Sequence, residues 1–189
     1  MLAYVFWHRM REDCSKDIYE NKIIKFQSTL AESHLVGFKG SVVARIDSAP
    51  WLASHSEAYE DWYLLDGSEV LDKLNDVAVS GSRKGPHNDV AHLATDFHGG
   101  LYQLRTGSEY SVSSEFALWL SKPAGSDYES FYRYISQNTA SEKSSLWRRQ
   151  MVLGPTPEFC MIGTKMPDLP SQFSPVHIHR EIIWETPRL

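Results

Sequence analysis

Leu2-Ala3-Tyr4-Val5-Phe6-Trp7-His8-Arg9 opens the chain as an apolar, aromatic run of the kind that forms strands. Leu2, Tyr4 and Phe6 fall on one face and Ala3, Val5 and Trp7 on the other, so neither face is polar. A half-solvated antiparallel strand would alternate, and this one is therefore predicted to be covered on both sides. From Glu115 the chain does the same again, with Glu115-Phe116-Ala117-Leu118-Trp119-Leu120-Ser121-Lys122. Each run leads into a helical pattern and then into further strands, which predicts two similar β/α units in tandem.

Working outward from the first run, residues 15–33 carry Ile18, Ile23, Phe26 and Leu30 at helical spacing, and Gly37 is read as the stop. Residues 38–46 (FKGSVVARI) form a second strand, followed by a loop with Trp51 and His55. Residues 60–65 (EDWYLL) form a third, ended by Asp66-Gly67. Ser68 then caps a helix whose apolar stripe is Val70, Leu71, Leu74, Val77 and Ala78. A short third helix starts in Gly85-Pro86-His87-Asn88-Asp89, and Gly99-Gly100 precedes a strand at 101–106. Residues 1–107 thus read β-α-β-β-α-β, with one small extra helix.

After a polar linker, residues 115–189 read as an abridged copy. A helix at 126–138 presents Tyr128, Phe131, Tyr132 and Ile135, and strands at 147–153 and 159–165 flank Gly154-Pro155-Thr156-Pro157. The second helix is missing, because 166–175 holds three prolines. The last strand is 176–184.

At 189 residues, 42% hydrophobic and 23% charged, the chain can bury a full core. A net charge of −5 without long runs offers no footprint for nucleic acid or an anionic membrane surface. The opening apolar run is too short for a leader or a membrane span. Cys14 and Cys160 belong to no close-spaced pattern and are expected as free thiols in a cytoplasmic protein.

A β-α-β-β-α-β unit folds as a four-stranded antiparallel sheet with both helices on one face. The other face needs a cover, and a second such sheet packed face to face supplies one. In YVFWHR followed by a helix, EDWYLLDGSEVLDKLND, GGLYQLR and the repeat at FALWLSK, the chain resembles the dimeric α/β barrel superfamily of ferredoxin-like units. The resemblance covers nearly the whole chain and singles out no one family. That superfamily includes antibiotic-biosynthesis-type monooxygenases, lactone isomerases, dye-decolourising peroxidases and chlorite dismutase-like haem proteins. It implies an α+β barrel and a pocket between sheet and helices or inside the barrel. Where other members pair separate chains, a tandem chain can pair with itself, as a monomer with an internal pseudo-dimer or as a homodimer. Haem in such relatives is held by a histidine of the second unit outside its strands. The helix at 126–138 has none, so haem is not expected.

Two histidines at element ends are the acid/base candidates. His8 ends the first strand, and His87 sits at a helix start, where the positive end of the helix favours a neutral ring. The competing readings are a strand-end histidine at the solvent boundary and a bystander to capping by Asn88 or Asp89. Arg45 could clamp an anion, with Arg105 as a second guanidinium, and the plain alternative is arginines facing water. Trp51, Trp62, Tyr63 and Tyr102 could wall a pocket for an apolar molecule, or be simple core. His177, His179 and Glu181 alternate along the last strand and could hold a metal, or form the polar face of an edge strand. His87, His92 and His98 do not share one helical face. No phosphate loop, nucleophile elbow or HExxH occurs. The expectation is a cofactor-independent protein of the monooxygenase, isomerase or decarboxylase type, acting on a small apolar or aromatic molecule bound in the first unit. The alternatives are a non-catalytic binder or assembly module, and a metalloenzyme built on the last strand.

Overall fold

The computed structural model describes residues 1–52, 56–138, 144–151 and 154–187. His55 and residues 152 and 153 of the expected strand lie outside the described residues. The elements run β1 (Leu2–Met10), α1 (Lys16–Ala31), β2 (Phe38–Ile46), β3 (Ala58–Leu65), α2 (Glu69–Ala78), α3 (Lys84–Leu93) and β4 (Ala94–Gly107). They continue through β5 (Phe116–Leu120), α4 (Tyr128–Asn138), β6 (Ser144–Arg149), β7 (Phe159–Gly163) and β8 (Val176–Glu185). Short 3-10 turns stand at Gly81–Arg83, Glu109–Ser113 and Ser171–Phe173.

The eight strands close into one antiparallel barrel in the order β1-β3-β2-β8-β5-β7-β6-β4. The sheets are not merely laid face to face: ladders from β2 to β8 and from β4 to β6 join them at both seams, so the ring has no free edge. Closure explains the two-sided apolar strands. Alternate residues point into the barrel, and outward residues of β1, β3, β5, β6 and β7 lie under helices, while the outer face of β8 is exposed at His177, His179 and Glu181.

Inside stand Ala3, Val5, Trp7, Val42, Trp51, Trp62, Tyr102, Trp119 and Trp147, packed with Ala117, Cys160, Ile162 and Ile178. The rings meet edge-on, with centroids 5.0 Å apart for Trp51 and Trp119 and 5.3 Å for Trp62 and Trp147. Among them lies one fully buried ion pair, Arg180 Nε donating to Glu60 Oε1 at 3.0 Å. Trp62 Nε1 donates to Glu60 Oε1 at 2.7 Å and Trp7 Nε1 to Oε2 at 2.9 Å. Arg180 Nη1 donates to the carbonyls of Val112 and Ser114 at 2.6 and 2.8 Å.

Outside the barrel, Leu118, Leu120, Leu146, Phe159 and Met161 pack against Phe131 and Ile135 of α4. The proline-rich segment before β8 stands where a second helix was found missing, and Leu169 and Phe173 seal the same cluster. Several boundaries differ from the sequence expectation, three of them with a visible cause. α1 ends at Ala31, and Gly37 (φ +88) instead turns the chain into β2, its carbonyl accepting from Asp66 N at 2.9 Å. β4 starts at Ala94 rather than after the glycines, because β1 pairs along its whole length. Gly99 sits inside β4, where a Cβ would come within 2.8 Å of Tyr4 Oη. β6 runs Ser144–Arg149, three residues earlier at its start than expected, along its ladder to β4.

Glu60→Gln or Arg180→Met alone should destabilise the fold by about 3–5 kcal/mol, because each leaves an uncompensated buried charge. The double variant should regain much of that loss. Urea midpoints at unchanged slope would report it.

Candidate functional site

β3 carries two consecutive carboxylates, and strand geometry sends them to opposite faces. Glu60 points into the barrel; Asp61, only 4% exposed, points out beneath the helices. On that outer face the register sets Tyr4 beside Tyr63, Phe6 beside Asp61 and His8 beside Tyr59. β1 also meets β4 there, with an irregularity: Trp7 faces His98 and Arg9 faces Thr95, so His8 alone opposes Asp96 and Phe97. This is a β-bulge, and Asp96 takes the left-handed conformation (φ +55) within it. The bulge presents Phe97 outward beside Phe6, with rings stacked 5.9 Å apart.

Between this face and helices α1, α2 and α3 lies a cavity of about 600 Å³. Tyr4, Phe6, His8, Asp61 and Tyr63 form its floor, Ile23, Phe26 and Leu30 of α1 one wall, and Leu71, Leu74 and Val90 the others. Asp72, Asn75 and Ala91 are exposed lining residues and mark the mouth.

A continuous hydrogen-bond network is set into the floor. His8 Nε2 lies 3.1 Å from Asp61 Oδ1, and its Nδ1 lies 2.6 Å from the Tyr19 hydroxyl. Asp61 Oδ2 accepts from Gln27 Nε2 at 3.1 Å and from the Tyr63 hydroxyl at 2.9 Å. Gln27 Nε2 also donates to Tyr63 Oη at 2.9 Å, and Gln27 Oε1 accepts from Ser41 Oγ at 2.8 Å. Trp184 Nε1 of β8 donates to Ser41 Oγ at 3.2 Å. Asp61 Oδ1 offers only an acceptor, so His8 Nε2 is the donor to it, and Nδ1 accepts from the Tyr19 hydroxyl. Burial, and secondarily the charge of Asp61, hold the Tyr19 and Tyr4 phenols above their ordinary value and that of Tyr63 well above it. They therefore act as protonated donors.

Both ring nitrogens of His8 are taken. The acceptor capacity left over belongs to Asp61, whose Oδ1 receives one donor where Oδ2 receives two. Tyr63 and His8 line this cavity with His87, whose ring stands edge-on to Phe26 at 5.5 Å and whose Nδ1 lies 3.3 Å from Asn88 Oδ1. Trp51, Trp62 and Tyr102 stand on the other side of the sheet, packed inside the barrel. Arg45 lies outside the cavity, held by Glu20 at 2.6 Å and by Glu181. Arg105 is exposed on β4, donating to Gln103 Oε1 at 3.0 Å. His177, His179 and Glu181 are exposed together on the outer face of β8, with Glu181 bound to Arg45. Among the described residues, no group of three His, Cys, Asp or Glu side chains is placed to hold a metal ion.

Sequence reasoning passed over Asp61, Gln27, Tyr19 and Tyr4. One signal was available: Glu60-Asp61 opens a strand apolar on both faces, so each carboxylate had to meet a buried surface. Tyr19, Ile23 and Gln27 likewise recur at four-residue spacing along one helix face.

An eight-stranded antiparallel barrel with helices against its outer face is the dimeric α/β barrel fold, and this chain has it. A candidate monooxygenase from Lactobacillus acidophilus NCFM is similar over 97% of this chain and 95% of its own, with a TM-score of 0.53 and 9% identity. A candidate chlorite dismutase matches 92% of this chain and 81% of its own, with a TM-score of 0.49 and 12% identity. SnoaB, a cofactor-independent oxygenase from Streptomyces nogalater, matches 57% of this chain and 96% of its own, with a TM-score of 0.41 and 9% identity. No protein-family model matches the chain, and no curated protein matches it in sequence. No described helix is long and apolar enough to cross a membrane.

The buried phenols set an alkaline limit. Tyr19 and Tyr63 hold their protons more tightly in the folded chain than in the unfolded one, whose tyrosines titrate near pH 10. Stability should therefore be steady below about pH 10 and fall as pH rises beyond it. Urea unfolding at pH 8 and pH 11 would show the loss, and Tyr63→Phe should shrink the difference between the two.

Proposed function

We propose that the chain binds a small, largely apolar molecule in the cavity between the β1/β3/β4 face and helices α1–α3, and moves a proton to or from it without a cofactor. The observation that carries this reading is Asp61 in the floor of a largely apolar cavity, with one donor on Oδ1 where Oδ2 has two. Asp61 is the general base. His8, behind it, donates to the same oxygen and orients the carboxylate, itself held by the Tyr19 hydroxyl. Tyr63 and Gln27 fix the other oxygen. His87 belongs to the wall.

The similarity in fold to a protein described as a candidate monooxygenase supports a small-molecule site. In our reading the barrel comprises two ferredoxin-like units, residues 1–107 and 115–189, joined in one cytoplasmic chain. The first carries the cavity and the second closes the barrel. The strand orders β4-β1-β3-β2 and β8-β5-β7-β6 within the ring support that division.

Proton transfer can be followed without knowing the substrate. In D₂O the protein should exchange the acidic C–H of bicyclic aryl ketones such as 2-tetralone, read by loss of proton NMR signal. Asp61→Asn should slow this by about a hundredfold or more. Equal exchange by the wild type, Asp61→Asn and buffer would refute the catalytic role. If those ketones still bound in the cavity, the protein would be a binder only.

A further inference from the structure

The charges around the cavity are one-sided. Among the described residues its lining contains Asp61 and Asp72, with His8 bound to Asp61 and His87 in the wall, but no lysine or arginine. Of the basic side chains on the surrounding elements, Lys22 pairs with Asp89 at 2.6 Å and Arg83 donates to the Val77 carbonyl at 2.7 Å, while Lys25, Lys73 and Lys84 are exposed and outside the lining. Of the two guanidiniums expected to clamp an anion, Arg45 is held by Glu20 and Glu181 away from the cavity and Arg105 lies outside its lining. A carboxylate or phosphate entering here would meet two negative groups and no compensating cation.

The apolar part of the lining is also suited to one sign of charge. Tyr4, Phe6 and Phe97 form a row of near-parallel rings, Tyr4 to Phe6 at 6.2 Å and 21° and Phe6 to Phe97 at 5.9 Å and 10°. Tyr63 joins the row at 6.2 Å from Tyr4. Aromatic faces carry negative partial charge and attract an ammonium group, most strongly where water is excluded. Phe97 is 54% exposed although its ring is stacked on a partly buried neighbour. An apolar ring kept at the rim of a cavity is a surface for a ligand to cover.

We propose that the ligand of this cavity is an organic cation, an apolar body bearing an amine or quaternary ammonium group, and that carboxylates and phosphates are excluded. The aromatic row and Asp72 serve its charge at the mouth, and Asp61 stands at the buried end. This rests on the cavity being the ligand site, as proposed above.

Three probes of one shape separate the charge from the pocket: 4-phenylbutylamine, 4-phenyl-1-butanol and 4-phenylbutyrate, titrated calorimetrically against the full chain. The amine should bind about tenfold more tightly than the alcohol, the range expected of a partly desolvated cation on aromatic rings and near a carboxylate. The butyrate should bind more weakly than either. Asp72→Asn, at an exposed position, should reduce the preference for the amine over the alcohol, and Phe97→Ala, which removes apolar surface from every probe, should weaken the amine more than the alcohol. Equal binding of amine and alcohol, or tighter binding of the butyrate, would overturn the proposal and leave the small-molecule site standing. Failure of all three to bind would count against both.

Discussion

The contact between Glu60 and Arg180 sits where no water screens it, and the barrel is organised around it. Two opposite charges in a low-dielectric interior attract strongly, but only full hydrogen bonding offsets the loss of their hydration. Here two indole N–H groups satisfy the carboxylate and two backbone carbonyls satisfy part of the guanidinium. Those carbonyls belong to the connector between β4 and β5, so one side chain from β8 ties together β3, β8 and the link between the halves. The pair also fixes which way β3 faces. With Glu60 committed inward, pleat geometry leaves Asp61 nowhere but under the helices.

From there the constraint passes along hydrogen bonds to the cavity. The relay from Trp184 through Ser41 and Gln27 to Asp61 begins on the last strand and ends in the floor of a site built from the first hundred-odd residues. The cavity thus depends on barrel closure twice, once through the orientation of β3 and once through this relay. Second-layer contacts of this sort hold a reactive group in one rotamer while the walls around it vary.

Much of this was legible from alternation alone. The two-faced character of residues 2–9 implied burial on both sides, and closure supplies it. What alternation does not say is which face meets helices and which meets the barrel interior. Trp62 and Tyr63 are adjacent aromatics of equal promise in sequence, yet one packs against Trp147 and the other against the cavity. The bulge at Asp96 and Phe97 left no mark either, because it arises from pairing with β1 and not from local propensity. Gly99 and Gly100 read in sequence as the lead-in to a strand at 101–106, whereas Gly99 makes room for the Tyr4 ring within a continuous strand.

The concentration of indoles inside the barrel has an optical consequence. Trp7, Trp51, Trp62, Trp119 and Trp147 are all in that interior cluster, and only Trp184 of the six lies elsewhere. None of them lines the cavity. Ultraviolet emission and the near-ultraviolet circular dichroism of these coupled rings therefore monitor the integrity of the ring of strands. A ligand settling beneath the helices would be nearly invisible to them. The phenols of Tyr4 and Tyr63 are the native chromophores placed to sense it, and an indole introduced on α2 or α3 would turn occupancy into a signal separate from folding.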